Sequence, residues 1–472
     1  MQLLNNKDID NLSIKQIHDL YSKYVNKSQV NLISKFGFGN DVVQKAEGSF
    51  IYTKDNKKIY DFTGGIGVLN HGHNHPRILK VREWFAKNKK MEVHKNFFSP
   101  YVAGLSHNIA NLLPNDLKIS YFSNSGADAN EGALKLAYKY HRGERDYVLS
   151  ADISFHGKRV GAGNVSGSKE TSYFNFQQIL KSKKFIYNDI DSVKQLVKDL
   201  RKNNSSNIYA IIVEPFSASS LLSCSENFLK SLRDICNKEN IVLIYDEVYS
   251  GWCKTGNLFY FMNFDNAEPD VLTSGKSLGG GKASISAYTC KEKIFKKSYD
   301  NLRDATLHST TFNALGEETM TAIEAINIII EDNYLKKSKE IFNILNPGLI
   351  ELKKKYPNII SDVRGSGSLN GIVINTDFTD KYFLPLIKLI PSQFTKDDYA
   401  FKKIVVSSII SELYDTHKIL TFYGSNIDLP LKISAPIITK KEYIDYFLSS
   451  LDKTLSMGLI KLITKFIKKN IL

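Results

Sequence analysis

The chain has 472 residues, 42% of them hydrophobic, and a formal net charge of +14. That length and composition support a large core and more than one domain. The lysines fall in short dispersed groups (54–58, 87–90, 181–184, 353–355), the pattern of a solvated surface and not of a nucleic-acid site, where basic residues concentrate among aromatics.

At the start, "MQLLNNKDIDNLS" has an early acid and no apolar core segment, so it is not expected to be a signal peptide. No apolar run is long enough to span a bilayer. The run "HGHNH" alternates His71, His73 and His75. On a strand these would share one face and could ligate zinc, but no fourth ligand cluster accompanies them, and no metal is expected.

Six short apolar runs follow, read as strands: 119–124, 146–151, 209–215, 241–248, 270–275 and 285–290. Several are apolar on both faces, as in strands covered by helices on both sides. Between the first two, Ala133, Leu136, Ala137 and Tyr140 follow a helical spacing, and Gly143 sits where a C-terminal cap belongs. Alternation of this kind predicts an α/β fold with a mostly parallel sheet, whose ligands bind beyond the carboxyl ends of the strands. The four cysteines, Cys224, Cys236, Cys253 and Cys290, show no C-x-x-C spacing, which predicts reduced thiols and a cytoplasmic setting. The last segment, "MGLIKLITKFIKKNIL", is amphipathic and basic. It reads either as a membrane-surface helix or as a closing helix packed on its own domain, and the second is expected.

The strand ends carry the polar residues. After the first come Ser125, Gly126 and Ala127, which open the helix. Small residues with free amides at a helix N-terminus suit an anion, although an ordinary capped start looks the same. After the second, Phe155 and His156 are either a core Phe and a surface His or a face for a planar ligand. Glu214 follows the third, and Asp246 with Glu247 ends the fourth; buried acids are costly unless they face a partner. The fifth leads into "TSGKSLGGG". A phosphate-cradling loop would need its first glycine five positions before Gly275, where Asp270 stands. Lys276 is therefore read as a nucleophile toward a carbonyl, in one crevice with Asp246. A phosphate site, a carboxylate for a heterocyclic cation and a lysine for an aldehyde together describe pyridoxal 5'-phosphate.

The segments resemble those of class III (ω-type) pyridoxal-phosphate-dependent aminotransferases. "DFTGGIGVLNHGHNHP", "SNSGADANEGALKLA", "FHGKRVGAGNVSG", "VEPFSAS", "LIYDEVYSGW", "TSGKSLGGG" and "HSTTFN" run in the family's order, followed by "VRGSGSLNGIVI" and "LKISAPIITKKEY". The resemblance implies a fold type I transferase: a large α/β domain over 76–330, and a smaller α+β domain from an N-terminal segment, 1–75, and a C-terminal part, 331–472. It implies that Lys276 carries pyridoxal 5'-phosphate as a Schiff base and shuttles the α-proton, and that Asp246 pairs with the pyridinium nitrogen. Ser125, Gly126 and Ala127 would hold the phosphate. Phe155 and Val248 would flank the ring, with His156, Glu214 and Tyr249 nearby. Thr311 would reach the phosphate from the partner subunit of a homodimer with its sites at the interface. The substrates implied are an amine donor and a 2-oxo acid acceptor, exchanged by a ping-pong mechanism. The histidine run falls in a structural turn of the family.

The sequence departs from the family's pattern at the substrate end. Many relatives carry Arg at Lys432 and Glu at Ser219, a pair that recognises carboxylates, and Gln at Tyr249. The sequel to Thr311-Phe312 also lacks the common G-G-N-P. These departures keep open an aminomutase or racemase on the same scaffold, and they point to a donor whose reacting amine is terminal. A non-enzymatic binding protein would have no need of both Lys276 and Asp246.

Overall fold

Seven strands make the central sheet: β1 (Leu117–Ser123), β2 (Tyr147–Ala151), β3 (Lys181–Phe185), β4 (Ile208–Val213), β5 (Val242–Asp246), β6 (Val271–Ser274) and β7 (Ser286–Lys291). The structure, a computed structural model, describes residues 3–167, 178–203, 205–375, 400–424 and 428–470. The spatial order is β1-β7-β6-β5-β4-β2-β3. Only β7 runs antiparallel to its neighbours; the pairs β2–β3, β2–β4, β4–β5 and β5–β6 are parallel. Every residue of β4 and β5 is buried, which is why both read as unbroken apolar runs.

All six strands expected from the sequence are present. β3 is a further strand: its "KSKKF" reads as a solvated charge group, and it forms at the sheet's edge, where Lys181 and Lys183 stay exposed while the Lys184 amine donates to Ser150 Oγ at 2.7 Å and the Ser166 carbonyl at 3.0 Å. The helix after β1, α1, spans Gly126–Tyr140 and buries Ala133, Leu136 and Ala137. Its cap differs from the expectation. The chain leaves the helix through His141, and Gly143 takes a left-handed φ of 75° further on.

The histidine run forms a turn, not a strand, with Gly72 and Asn74 both at positive φ. Its three rings do not share one face: His71 meets the Ala325 carbonyl and the edge of His75 at 6.2 Å between centroids, whereas His73 turns to Asp61.

The remaining chain builds two further four-stranded sheets. In one, the N-terminal strands Val43–Glu47, Phe50–Thr53 and Lys58–Asp61 are joined by Ile419–Leu420, which pairs parallel to the last of them. In the other, Ile360–Ser366, Leu369–Ile374, Leu431–Ser434 and Phe422–Tyr423 are antiparallel. The buried apolar residues fall into separate clusters accordingly. The largest joins residues between Ile78 and Tyr334 with Ile437, and another joins Phe62 to residues between Ile341 and Phe466. The basic helix Leu459–Asn470 turns Leu459, Leu462, Ile463 and Phe466 inward, while Lys465 and Lys469 pair with Glu412 and Asp415 at 2.6 Å. It packs its apolar face into that second cluster, as expected of a closing helix. No helix among the described residues is long and apolar enough to cross a membrane.

Candidate active site

The carboxyl ends of β1, β2, β4, β5 and β6 open on one cavity of about 450 Å³. Each end delivers one element. β1 leads to the first turn of α1, β2 to Phe155 and His156, β4 to Glu214, β5 to Asp246 and β6 to Lys276. The antiparallel sheet of the C-terminal part closes the far side with Phe422, Tyr423 and Lys432.

Asp246 lies at the bottom, 4% exposed. Its Oδ2 accepts from Asn130 Nδ2 at 2.7 Å and from His156 Nδ1 at 2.8 Å, and its Oδ1 from the Val248 N–H at 3.0 Å. Burial alone would raise its pKa, but the His156 bond, with Val248 and Asn130, outweighs burial and holds the carboxyl below the usual range. Asn130 is fixed in turn, donating to the His156 carbonyl and accepting from Thr273 Oγ1 at 2.7 Å. The adjacent acid, Glu247, points the other way along the extended chain. It accepts from the Tyr260 and Phe261 amides and Ser250 Oγ, and takes no part in the cavity.

Lys276 occupies the turn Lys276–Gly279 with a left-handed φ of 46°, a conformation a lysine holds only where its surroundings over-determine it. Burial lowers its pKa, opposed by the charges of Asp246 and Glu214. Its Nζ lies 4.3 Å from the centroid of the Tyr249 ring. Glu214 accepts from the Phe155 N–H at 2.9 Å and the Ala218 N–H at 3.3 Å; burial and the neighbouring Asp246 push its pKa up to about 8.

Ser125 is the N-cap of α1: its Oγ accepts from the Asp128 N–H at 3.3 Å and donates to the Asp128 carboxylate at 2.7 Å. Arg159 offsets that carboxylate's charge at 3.0 Å. A Cβ on Gly126 would lie 2.5 Å from Val248 Cγ1, so only glycine lets the helix start approach Val248. Gly157 stands at φ 126°, and a Cβ there would meet that of Ala127 at 2.5 Å. These glycines leave a concave wall of backbone at the positive end of α1.

Every residue expected to bind cofactor or substrate except Thr311 lines this cavity or abuts it: Ser125 caps the helix whose first turn lines it, and Ser219 forms part of its rim with Lys432. Thr311 is exposed, away from the cavity. The loop around it is tied down through its backbone: Lys95 binds the Thr310 carbonyl, Asn124 that of Phe312 and Lys135 that of Leu307. The sequence reading missed Asn130, Ile66, Lys158 and Phe422. Asn130 alone had a legible signal, a polar side chain one helical turn after the N-cap, on the face that packs on the sheet.

A profile of the Aminotransferase class-III family matches residues 38–455, and the chain belongs to that family. Its members are pyridoxal-phosphate-dependent transaminases. The chain is 34% identical over 345 residues to an acetylornithine aminotransferase of Prochlorococcus marinus, covering 71% of this chain and 80% of that protein. Among solved structures, a transaminase from the marine bacterium Virgibacillus superposes with a TM-score of 0.80 at 19% identity, over 95% of this chain and 99% of that one. A taurine:2-oxoglutarate aminotransferase of Bifidobacterium kashiwanohense, in complex with PLP and glutamate, gives a TM-score of 0.78 at 22% identity, over 96% and 99%. These two similarities concern the fold.

Proposed function

We propose that the cavity holds pyridoxal 5'-phosphate and that the enzyme moves an amino group from a primary amine or amino acid, with a terminal reacting amine, to a 2-oxo acid. The observation that carries the assignment is the meeting, in one cavity, of a buried lysine amine, a carboxylate gripped by three donors, and a glycine-opened helix N-terminus.

The residues fit the cofactor. The concave wall at Gly126 and Gly157 is space that side chains would fill, and the amides behind it suit a phosphate. His156 Nε2 is a buried polar atom without a hydrogen-bond partner among the described residues. Bound pyridoxal phosphate supplies an aldehyde for the amine and a ring that takes up electron density from the substrate carbon. Lys276 would hold it covalently and, once released, take and return a proton at Nζ, a task suited to its lowered pKa. Asp246, ionised at neutral pH, would hold a ring N–H as a charged donor. Phe155 and Val248 would flank the ring and Glu214 support its rim. Lys432, with Ser219, would meet the substrate. Donor and acceptor use the same cavity in turn, which makes the kinetics ping-pong.

The assembly proposed is a homodimer in which Thr311 of one chain reaches the phosphate of the other. Support comes from Phe97, Phe98, Leu302, Leu307 and Phe312, all exposed and in the loops beside Thr311 or linked to it through Lys95. The proposed two-part division at residues 75 and 330 is supported by the separate buried clusters. Four free, buried cysteines support a cytoplasmic setting.

The test is a half-reaction screen. Holoenzyme is mixed with a panel of primary amines, and the cofactor absorbance and the amino product formed per 2-oxo acid consumed are followed. Transfer gives one product per acceptor; isomerisation of the amine without acceptor would overturn the reading in favour of a mutase or racemase. Borohydride reduction and peptide mapping should label Lys276, and Lys276→Ala should abolish both label and turnover.

A further inference from the structure

Among the described residues the Lys276 amine meets a ring face and no hydrogen-bond acceptor. Its Nζ lies 4.3 Å from the centroid of Tyr249, while Asp246 and Glu214 act on it through charge alone. Tyr249 is buried, and the chain beside it is shaped to admit its ring. Gly67 stands at φ 84°, and a Cβ there would lie 2.5 Å from Cε1 and Cζ of Tyr249, so glycine gives the ring its place. The Gly67 carbonyl accepts from Ser277 Oγ at 3.0 Å, which ties the turn beside the ring to the residue after Lys276. Lys432 Nζ approaches the same ring at 4.4 Å. Two ammonium groups in one cavity repel, and an aromatic face attracts each of them.

A lysine that both joins a cofactor and moves a proton must stand, between those tasks, as a free amine. Building on the aminotransferase reading of this cavity, we infer that the Tyr249 ring face is the seat of the Lys276 amine whenever that amine is not joined to the cofactor, so that Tyr249 is a positioning residue for it. A hydrogen-bond acceptor would have to be given up at each departure. A ring face attracts the ammonium without a directed bond, so the amine can leave and return. The other groups facing Lys276 do not supply a seat. Asp246, after β5, is committed to Asn130, His156 and the Val248 amide. Glu214, after β4, accepts from the Phe155 and Ala218 amides. Lys432, on the C-terminal sheet, is a like charge, and Lys158 lies at the cavity's rim. Burial lowers the Lys276 pKa, and the charges of Asp246 and Glu214 oppose it. The ring acts on their side, because it attracts the ammonium and not the neutral amine.

The test loads the protein with pyridoxamine 5'-phosphate, which has no aldehyde and so leaves the Lys276 amine free. Acetic anhydride is applied across a range of pH, and the Lys276 peptide is followed by mass spectrometry. Only the neutral amine acetylates, so the midpoint of labelling reports its protonation. The kcat and KM of the holoenzyme loaded with pyridoxal phosphate are measured beside it. Tyr249→Phe keeps the face and should match wild type in labelling midpoint and in kcat. Tyr249→Leu removes it. Its midpoint should fall by about half a pH unit or more, with acetylation below the midpoint about threefold higher. Its kcat should drop about tenfold with KM little changed. A Leu variant with the wild-type midpoint or the wild-type kcat would overturn the inference. So would a Phe variant that falls as far as Leu, because the effect would then belong to the hydroxyl. If no amine in the panel supports transfer while the labelling follows this pattern, the aminotransferase reading fails and the seat stands.

Discussion

Replacing Asp246 by Asn removes a charge and an acceptor with almost no change in volume. The carboxylate accepts three hydrogen bonds, two at Oδ2 from Asn130 and His156 and one at Oδ1 from the Val248 amide. An amide oxygen can serve one of those positions. Kept where two donors meet, it turns its NH2 on the Val248 N–H, and a buried donor left unsatisfied costs about 1–3 kcal/mol of stability. The catalytic loss is larger, because a neutral side chain cannot stabilise positive charge at a position as buried as that of Asp246. Losing one preorganised electrostatic contact of this kind costs about 2.7–4 kcal/mol in the transition state, or about 10²–10³-fold in kcat. The assay is steady-state consumption of the 2-oxo acid, with cofactor retention read from absorbance and a thermal melt run alongside. The expected enzyme is folded, retains cofactor and turns over at least a hundredfold more slowly (about 10² or more). Near wild-type kcat, or full recovery of kcat on adding excess cofactor, would refute the charge argument.

Gly126→Ala puts a methyl 2.5 Å from Val248 Cγ1; overpacking of about 1–3 kcal/mol and roughly tenfold weaker cofactor binding should follow. Gly104→Ala, where the nearest atom would be 3.7 Å away, is the control and should be neutral or stabilising. Glu214 has a folded pKa raised to about 8, so the native state binds more protons than the unfolded chain, and cofactor-free protein should lose stability as pH rises from the ordinary glutamate range to about 8. Glu214→Gln should flatten that slope in melts across pH; an unchanged slope would mean another group titrates. Mixed dimers of Lys276→Ala chains with Thr311→Ala chains contain one intact and one doubly damaged site, so activity should return on mixing. A fully active monomer would contradict the shared-site reading.

Much of this protein is legible in its sequence because two of its constraints are local. β4 and β5 lie under helices on both faces, so nearly every residue must be apolar, and burial writes itself into an unbroken run. Lys276 and Asp246 stand at the ends of such runs, and the order of strand ends brings them to one edge of the sheet. What the sequence did not show depends on partners far along the chain. β3 is a strand because it pairs with β2 at the sheet's edge, and its composition alone reads as a solvated charge group. The ionised state of Asp246 depends on Asn130 and His156, which reach it from α1 and from the loop after β2. The contact of the Lys276 amine is decided by Tyr249, whose ring Gly67 admits from another part of the chain. Short-range patterning determines which segments are buried. A group's charge and the contact it makes depend on desolvation and on neighbours that only the folded chain assembles.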